Sequence, residues 1–211
     1  MKARWVILGA IGAVALQSLS APSLAQDVEQ PGYEILDQNG AIELREYQPM
    51  IVAEATTTGS RSIAMNRGFR IIADYIFGNN ISSEKVAMTS PVIQQPRSEK
   101  IAMTSPVTQR QEGDEWVVRF IMPSEYSMAT LPAPVNPRVS LREVPGKRVA
   151  VITFSGDGNM RDLAKNTAKL RAHLELNEIE ALGEPIFAFY DGPWVRPEMR
   201  RNEVMIEIAA P

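Results

Sequence analysis

Few side chains in this chain could bind a metal or carry a proton. Its 211 residues hold one histidine, His173, ten methionines and no cysteine. Thiol nucleophiles, disulfides and thiolate-bound metals are therefore excluded. A Ser-His-Asp arrangement would have to recruit His173, and no serine is marked by its context as the partner. There is no glycine-rich phosphate loop, no Gly-x-Ser-x-Gly and no histidine pair at metal spacing. Glu46 and Glu143 occupy related positions, each after an arginine and beside a turn. A structural ion pair is the plainer reading of both. The thioethers are more suggestive: "SEKVAMTSPV" (Ser83–Val92) recurs as "SEKIAMTSPV" (Ser98–Val107), changed only from Val86 to Ile101. Met88 and Met103 thus stand in matched settings, as two soft ligands would, although methionine in a strand usually fills a core.

The elements that must position these groups follow from the pattern of apolar residues. "IELREYQPMIVAEATTTG" (Ile42–Gly59) aligns without a gap to "VSLREVPGKRVAVITFSG" (Val139–Gly156), an offset of 97. Each copy has β-rich residues on both sides of a turn and reads as a hairpin, and a helical stretch follows each. The first helix is expected from about Ser62 to Phe77, capped by Ser60 or Ser62 and stopped by Gly78-Asn79-Asn80. Its apolar stripe is Met65, Phe69, Ile72 and Ile76, widened by Ile71 and Tyr75 and bordered by Asn66 and Ala73. The second is expected from about Met160 to Leu176, capped by Asp157 or Asn159, with the stripe Leu163, Thr167, Leu170 and Leu174. His173 lies well off the centre of that stripe, at the boundary of core and water, where an imidazole could ligate a metal or sense pH.

Further strands are expected at Lys85–Gln94, Lys100–Gln109, Glu115–Pro123, Pro185–Trp194 and Asn202–Ala209. A fifteen-residue repeat in two copies is too short for a solenoid and reads as a local duplication lengthening a hairpin or an edge. Three prolines in "LPAPVNPRV" make 131–139 the best linker, between halves of about 33–130 and 139–209.

The N-terminus carries Lys2 and Arg4, an apolar run from Trp5 to about Leu16, and Ser23-Leu24-Ala25 at a cleavable position. This predicts a signal peptide over 1–25, an exported (periplasmic or secreted) mature domain of 26–211, and no membrane span after processing. The net charge of −3, which becomes −5 without Lys2 and Arg4, gives no electrostatic case for nucleic acid. Oligomeric state is left open.

Tyr75-x-x-Gly-x-Asn80 at the end of helix one precedes "KIAMTSPV", "VVRFIMP", "PAPVNPRVSLREVPGKRVAVITFSG", "YDGPW" and "RRNEV" in this order. Together these resemble the SOUL/haem-binding protein family over roughly Tyr33 to Ile208. The resemblance implies an α+β fold, with two pseudo-symmetric halves forming a distorted antiparallel β-barrel and two amphipathic helices packed on it. It also implies non-covalent binding of haem or a related porphyrin in an apolar pocket between helix one and the loop before the last strand.

Carried onto this chain, the ligand-facing helix positions are Asn66, Phe69 and Ala73, where described members carry an arginine and methionines. Arg70, one turn beyond Asn66, could replace the missing cation. In the loop, the Trp194 indole could lie on a porphyrin face and Arg196 could pair with a propionate, with Met199 beside them. A lid over the barrel end and a solvated loop charge are the plainer readings of Trp194 and Arg196. The family's axial histidine does not map onto His173, so His173, Met88 and Met103 are only outside candidates for iron. Two alternatives accompany the haem reading: a binding module for another amphipathic small molecule, and a hydrolase-like enzyme.

Overall fold

The computed structural model describes residues 28–83 and 97–209. The expected signal peptide, and the first copy of the repeat from Glu84 onward with Met88, lie outside the described residues. In chain order the elements are β1 (Tyr33–Asn39), β2 (Ile42–Tyr47), β3 (Met50–Thr58), α1 (Arg61–Ile76), β4 (Asn80–Ile81), β5 (Val107–Glu112) and β6 (Glu115–Ile121). They continue with β7 (Ala133–Pro134), β8 (Ser140–Val144), β9 (Lys147–Phe154), α2 (Met160–Leu176), β10 (Ile186–Phe189), one 3-10 turn (Pro197–Met199) and β11 (Asn202–Glu207). Nine strands form one antiparallel sheet in the order β1-β2-β9-β11-β10-β5-β6-β3-β8, curled into a half-barrel with the two helices packed on it. The α+β architecture expected from the sequence is the observed one.

The internal duplication is written into the ladders. Glu43 faces Val151 and Tyr47 faces Lys147 between β2 and β9. Shifted by the 97-residue offset, these become Ser140 facing Glu54 and Val144 facing Met50, which is the register of β8 on β3. The expected hairpins, however, do not form. β2 pairs with β1 and β9, and β3 pairs with β6 and β8, so each half lends a strand to the other. Pro49 and Pro145 at the two corners have no N–H to close a tight ladder, and a half paired only within itself would leave its sheet face uncovered.

The stretch 98–106 is also not the strand expected. Ladder pairing begins only at Val107, because the preceding N–H groups bond to scattered partners. Ile101 N donates to Ile76 O (2.9 Å) and Ser105 N to Glu29 O (2.9 Å), while Pro106 has no N–H. The second repeat copy therefore inserts Ile101 into the core and leaves Met103 exposed. The proline-rich stretch 131–139 is anchored rather than free of structure. Leu131 and Val139 are buried, and Ala133–Pro134 pairs with Asn80–Ile81.

Both helices form where periodicity puts them, with different caps. The Asn159 side chain accepts from Arg161 N and Asp162 N at the start of α2, whereas Ser60 makes no side-chain cap at α1. Leu163, Leu170 and Leu174 are buried as expected. In α1 the buried stripe is rotated toward Ala64, Gly68, Ile71, Ile72 and Tyr75, leaving Met65 and Phe69 half-buried. Gly68 is the reason. A Cβ there would sit 2.6 Å from Val118 Cγ2, so only a glycine lets the helix backbone come this close to β6.

The family-like Tyr75–Asn80 motif is a helix stop. Gly78 has φ +119°, the Tyr75 hydroxyl donates to Pro132 O (2.9 Å), and Asn80 Nδ2 donates to Tyr75 O and Glu99 O (2.8 Å each). Among the described residues, no helix is long and apolar enough to cross a membrane.

Candidate functional site

Helix α1 turns one face to water. Ile63, Asn66, Arg67 and Arg70 follow the i, i+3, i+4, i+7 spacing that aligns side chains along a helix. With Ser62, Ile71 and Arg138 they line an open groove of about 550 Å³. This size falls within the range of small-molecule sites, about 300–1,000 Å³. Arg138 comes from the 131–139 segment just before β8, so the groove is shared by α1 and the link between the halves. Among the described residues, no carboxylate pairs with Arg67, Arg70 or Arg138. Three guanidinium groups thus face one open groove whose apolar surface is Ile63, 56% exposed, and Ile71. A flat ligand with carboxylates suits this arrangement, since a guanidinium both pairs bidentately with a carboxylate and stacks on an aromatic face.

The structure distributes the expected site residues over several places. Asn66 and Arg70 line the groove; Asn66 Nδ2 also donates to Ser62 O (2.9 Å), holding the amide against the helix. Phe69 and Ala73 turn inward. The Phe69 ring packs 5.1 Å from that of Phe120, and Ala73 is buried. Trp194, Arg196 and Met199 lie together on the exposed loop before β11, and none of them lines the helix-one groove. Arg200 holds that loop: Nε donates to Val195 O (2.7 Å), Nη2 to Pro193 O (2.9 Å), and Nη1 to Asp157 Oδ1 (3.1 Å). Arg196 turns to Glu198 and to the Met199 sulfur, and the Trp194 indole folds over Gly192. The indole is therefore 85% exposed rather than closing the barrel end.

His173 sits half-buried on α2, beside the Asn177 amide. Among the described residues, no cluster of three histidine, cysteine or acidic side chains could hold a metal. The groove lining contains no imidazole, thioether or phenol either, so a macrocycle bound there would be recognised by its face and its acids, not by an axial bond.

Two cations, Arg61 half-buried and Arg45 buried, tie the halves together. Arg61, the first residue of α1, donates from Nε to Gln109 Oε1 (3.0 Å) and from Nη1 to Gly158 O (3.2 Å), and lies 5.0 Å from the Phe189 ring. Burial without a carboxylate lowers its pKa. Arg45, 1% exposed, donates to both oxygens of Glu203, which is 0% exposed and also accepts from Arg201 (2.6 Å) and the Tyr190 hydroxyl (2.7 Å). Burial opposes the Arg45 charge, but the Glu203 carboxylate and the Tyr47 contact outweigh it and raise its pKa. Burial pushes the Tyr47 phenol up to about 12, against the lowering pull of Arg45, and pushes Tyr190 further up with help from Glu203.

Arg67 and Arg138 were not visible as site residues in the sequence. Arg67 had a signal, being three residues from Arg70 on the polar face of a periodic helix. Arg138 had none, because its approach to α1 depends on how the 131–139 segment is anchored.

The profile of the family described as SOUL heme-binding protein matches residues 28–207. No individual curated protein matches the chain in sequence. Among solved structures, one described as a hydrolase from Listeria innocua is similar at 12% identity with a TM-score of 0.54, over 82% of this chain and 94% of that one. The EcmrR C-terminal domain is similar at 13% identity and a TM-score of 0.52, over 84% and 98%. An uncharacterized conserved protein from Listeria innocua gives 12% and 0.54, over 80% and 92%. At these identities the likeness is one of fold alone.

Proposed function

Because the chain belongs to the SOUL heme-binding protein family, we propose that it binds haem or an iron-free porphyrin non-covalently in the groove of α1. The observation that carries this reading is the set of three guanidinium groups, Arg67, Arg70 and Arg138, that no described carboxylate neutralises, arrayed beside Ile63 and Ile71. Two arginines would meet the propionates, and the planes of the guanidinium groups with the isoleucines would support the macrocycle. The Trp194–Met199 loop is a separate, exposed element whose role would be to close on a ligand already held by α1. Bound haem would contribute redox chemistry of its own. The residues of the groove bind and orient, and none is placed to transfer a proton, so the protein is read as a binder rather than an enzyme. The N-terminal stretch 1–25 supports an exported setting, where the role would be buffering, carriage or sequestration of the tetrapyrrole.

The test is titration of hemin and of protoporphyrin IX, followed in the Soret region and by porphyrin fluorescence. Both ligands should bind with similar affinity. An Arg67→Ala/Arg70→Ala variant should bind both about tenfold more weakly or worse, since a hydrogen bond to a charged group contributes about 1.5–3 kcal/mol before solvent screening reduces it. His173→Ala should bind normally. Hemin-only binding with a low-spin spectrum that vanishes in His173→Ala would overturn both the site and the mode. The lack of an axial donor in the lining also favours a second reading, another amphipathic anion on the same groove. Failure of both tetrapyrroles to bind below about 100 μM would favour it over haem.

A further inference from the structure

The outer face of α1 extends beyond its groove. Ile63, Arg67, Arg70, Asp74 and Phe77 fall within about 80° of one another at the ~100° per residue of an α-helix, so they form one stripe along its length. All five are exposed. Past the helix end the stripe runs on into the ribbon of β4 and β7. Val135 N donates to Asn79 O (3.4 Å) and Ile81 faces Ala133 in the ladder, which gathers Phe77, Ile81 and Val135 at one end. From Val135 the chain runs back to Arg138, in the groove with Arg70 and Ile71. Ile63, Phe77, Ile81 and Val135 are each between 46% and 59% exposed, so four large apolar side chains stand in water around three guanidinium groups.

Charge on this side opposes that of the whole chain. The net charge is −3, yet Arg67, Arg70 and Arg138 have no ion-pair partner among the described residues. The acids on or next to this side are Asp74, which accepts from Asn79 Nδ2, and Glu99, whose carboxylate is turned to the Tyr126 hydroxyl (2.6 Å) and Ser82 Oγ (3.1 Å). A soluble anion would meet the cations and leave Phe77, Ile81 and Val135 in water. Ile63 and Phe77 also stand ~21 Å apart along the helix axis, a span that a planar surface meets and a single pocket does not. Unpaired cations set among outward apolar side chains are complementary to a surface that is anionic outside and apolar beneath.

We propose that α1 and the β4–β7 ribbon form a docking face for an anionic phospholipid surface. The protein lies on the bilayer without crossing it, with Phe77, Ile81 and Val135 among the headgroups and the guanidinium groups on lipid phosphates. The face shares its cations with the α1 groove but does not rest on the tetrapyrrole reading, since Phe77, Ile81 and Val135 do not line that groove.

The test is co-sedimentation of the haem-free chain from Gln26, which contains every described residue, with vesicles of phosphatidylcholine alone and of an equal mixture with phosphatidylglycerol. The mixed vesicles should bind at least about tenfold more tightly, and binding should weaken as salt rises. Arg67→Ala/Arg70→Ala should weaken it about 25-fold, at about fivefold per arginine near an anionic surface. Phe77→Ser/Val135→Ser should weaken it about tenfold by removing apolar burial, while thermal unfolding and hemin binding stay as in the parent. That variant separates the two readings, because loss of hemin binding alone leaves docking intact. No binding up to about 1 mM lipid, equal binding to both vesicle types, or parental binding by both variants would overturn the proposal. So would displacement from vesicles by inorganic phosphate at matched ionic strength, which would mark a site for soluble anions. A dimer in sedimentation that Phe77→Ser/Val135→Ser dissociates would overturn it too, by assigning the face to a second copy of the chain.

Discussion

Replacing Gly68 by alanine isolates the contact that seats α1, and with it the groove, on the sheet. The new methyl carbon would lie 2.6 Å from Val118 Cγ2 and 2.9 Å from Val118 Cβ, against an ordinary carbon separation of about 3.5–4.0 Å. Something must therefore yield by about 1 Å. Val118 is 0% exposed, lies between Ala55 and Gln109 in the sheet, and is stiff at χ1, so the helix has to lift. Overpacking of this kind costs about 1–3 kcal/mol. The gain from alanine over glycine inside a helix, about 0.5–1 kcal/mol, offsets part of it. The net expectation is a loss of about 1–2 kcal/mol, or a fall in Tm of about 3–6 °C for a domain this size, read by urea and thermal denaturation. Val118→Ala alone should cost about 2–3 kcal/mol by opening a cavity. The double variant should lose clearly less than the sum of the two single losses, because the 2.6 Å clash with Cγ2 is gone and only the 2.9 Å approach to Cβ, which alanine retains, is left. A stabilised Gly68→Ala protein, or strictly additive losses in the double variant, would refute the claim that this approach is steric.

Three further outcomes are expected. Glu203→Gln should destabilise the protein by about 1.5–3 kcal/mol in chemical denaturation, because it removes the charged acceptor buried between Arg45 and Arg201 while Glu43 still pairs with Arg45 at 2.6 Å. Asn159→Ala should cost about 1 kcal/mol through loss of the α2 cap and Ser60→Ala only a few tenths, measured side by side, since only Asn159 makes side-chain cap bonds. Alkaline titration should show Tyr47 resisting ionisation until about pH 12. Its folded pKa lies above the unfolded value of 10.0, so the stability it contributes is whole below pH 10 and lost as pH rises from 10 to 12. That loss is about 3 kcal/mol for two units. Near-ultraviolet phenolate absorbance in Tyr47→Phe against the parent checks it, and a Tyr47 that titrates at an ordinary tyrosine pKa would count against the burial argument.

The elements and the duplication were legible from sequence because both are local or periodic. α2 occupies the residues its pattern assigns, and the 97-residue offset that aligns two stretches of sequence also maps one ladder register onto another. The Tyr75–Asn80 motif ends α1 where the sequence puts the stop, with Gly78 at positive φ. What the sequence could not decide was pairing. β2 and β3 look like a hairpin because a turn separates them, yet their partners are β9 and β8, a choice set by which edges the folded halves leave open. For the same reason the stripe of α1 was misjudged by a rotation. Counting large apolar side chains favours Met65 and Phe69, while the true contact runs through Ala64 and Gly68, whose value is the side chain they lack.

The site divides along the same line. Arg70 was reachable from the family resemblance, one helical turn beyond Asn66, whereas Arg138 reaches the α1 groove only because Leu131 and Val139 anchor the segment that carries it. The hollow inside the curled sheet is lined from eight strands, so it exists only once they have curled. Sequence by itself determined the helices, the duplication and the family, because periodicity, turn chemistry and motif order are properties of neighbouring residues. Only the tertiary structure decided which cations meet and which face holds a cavity, because those depend on distances between residues far apart in the chain.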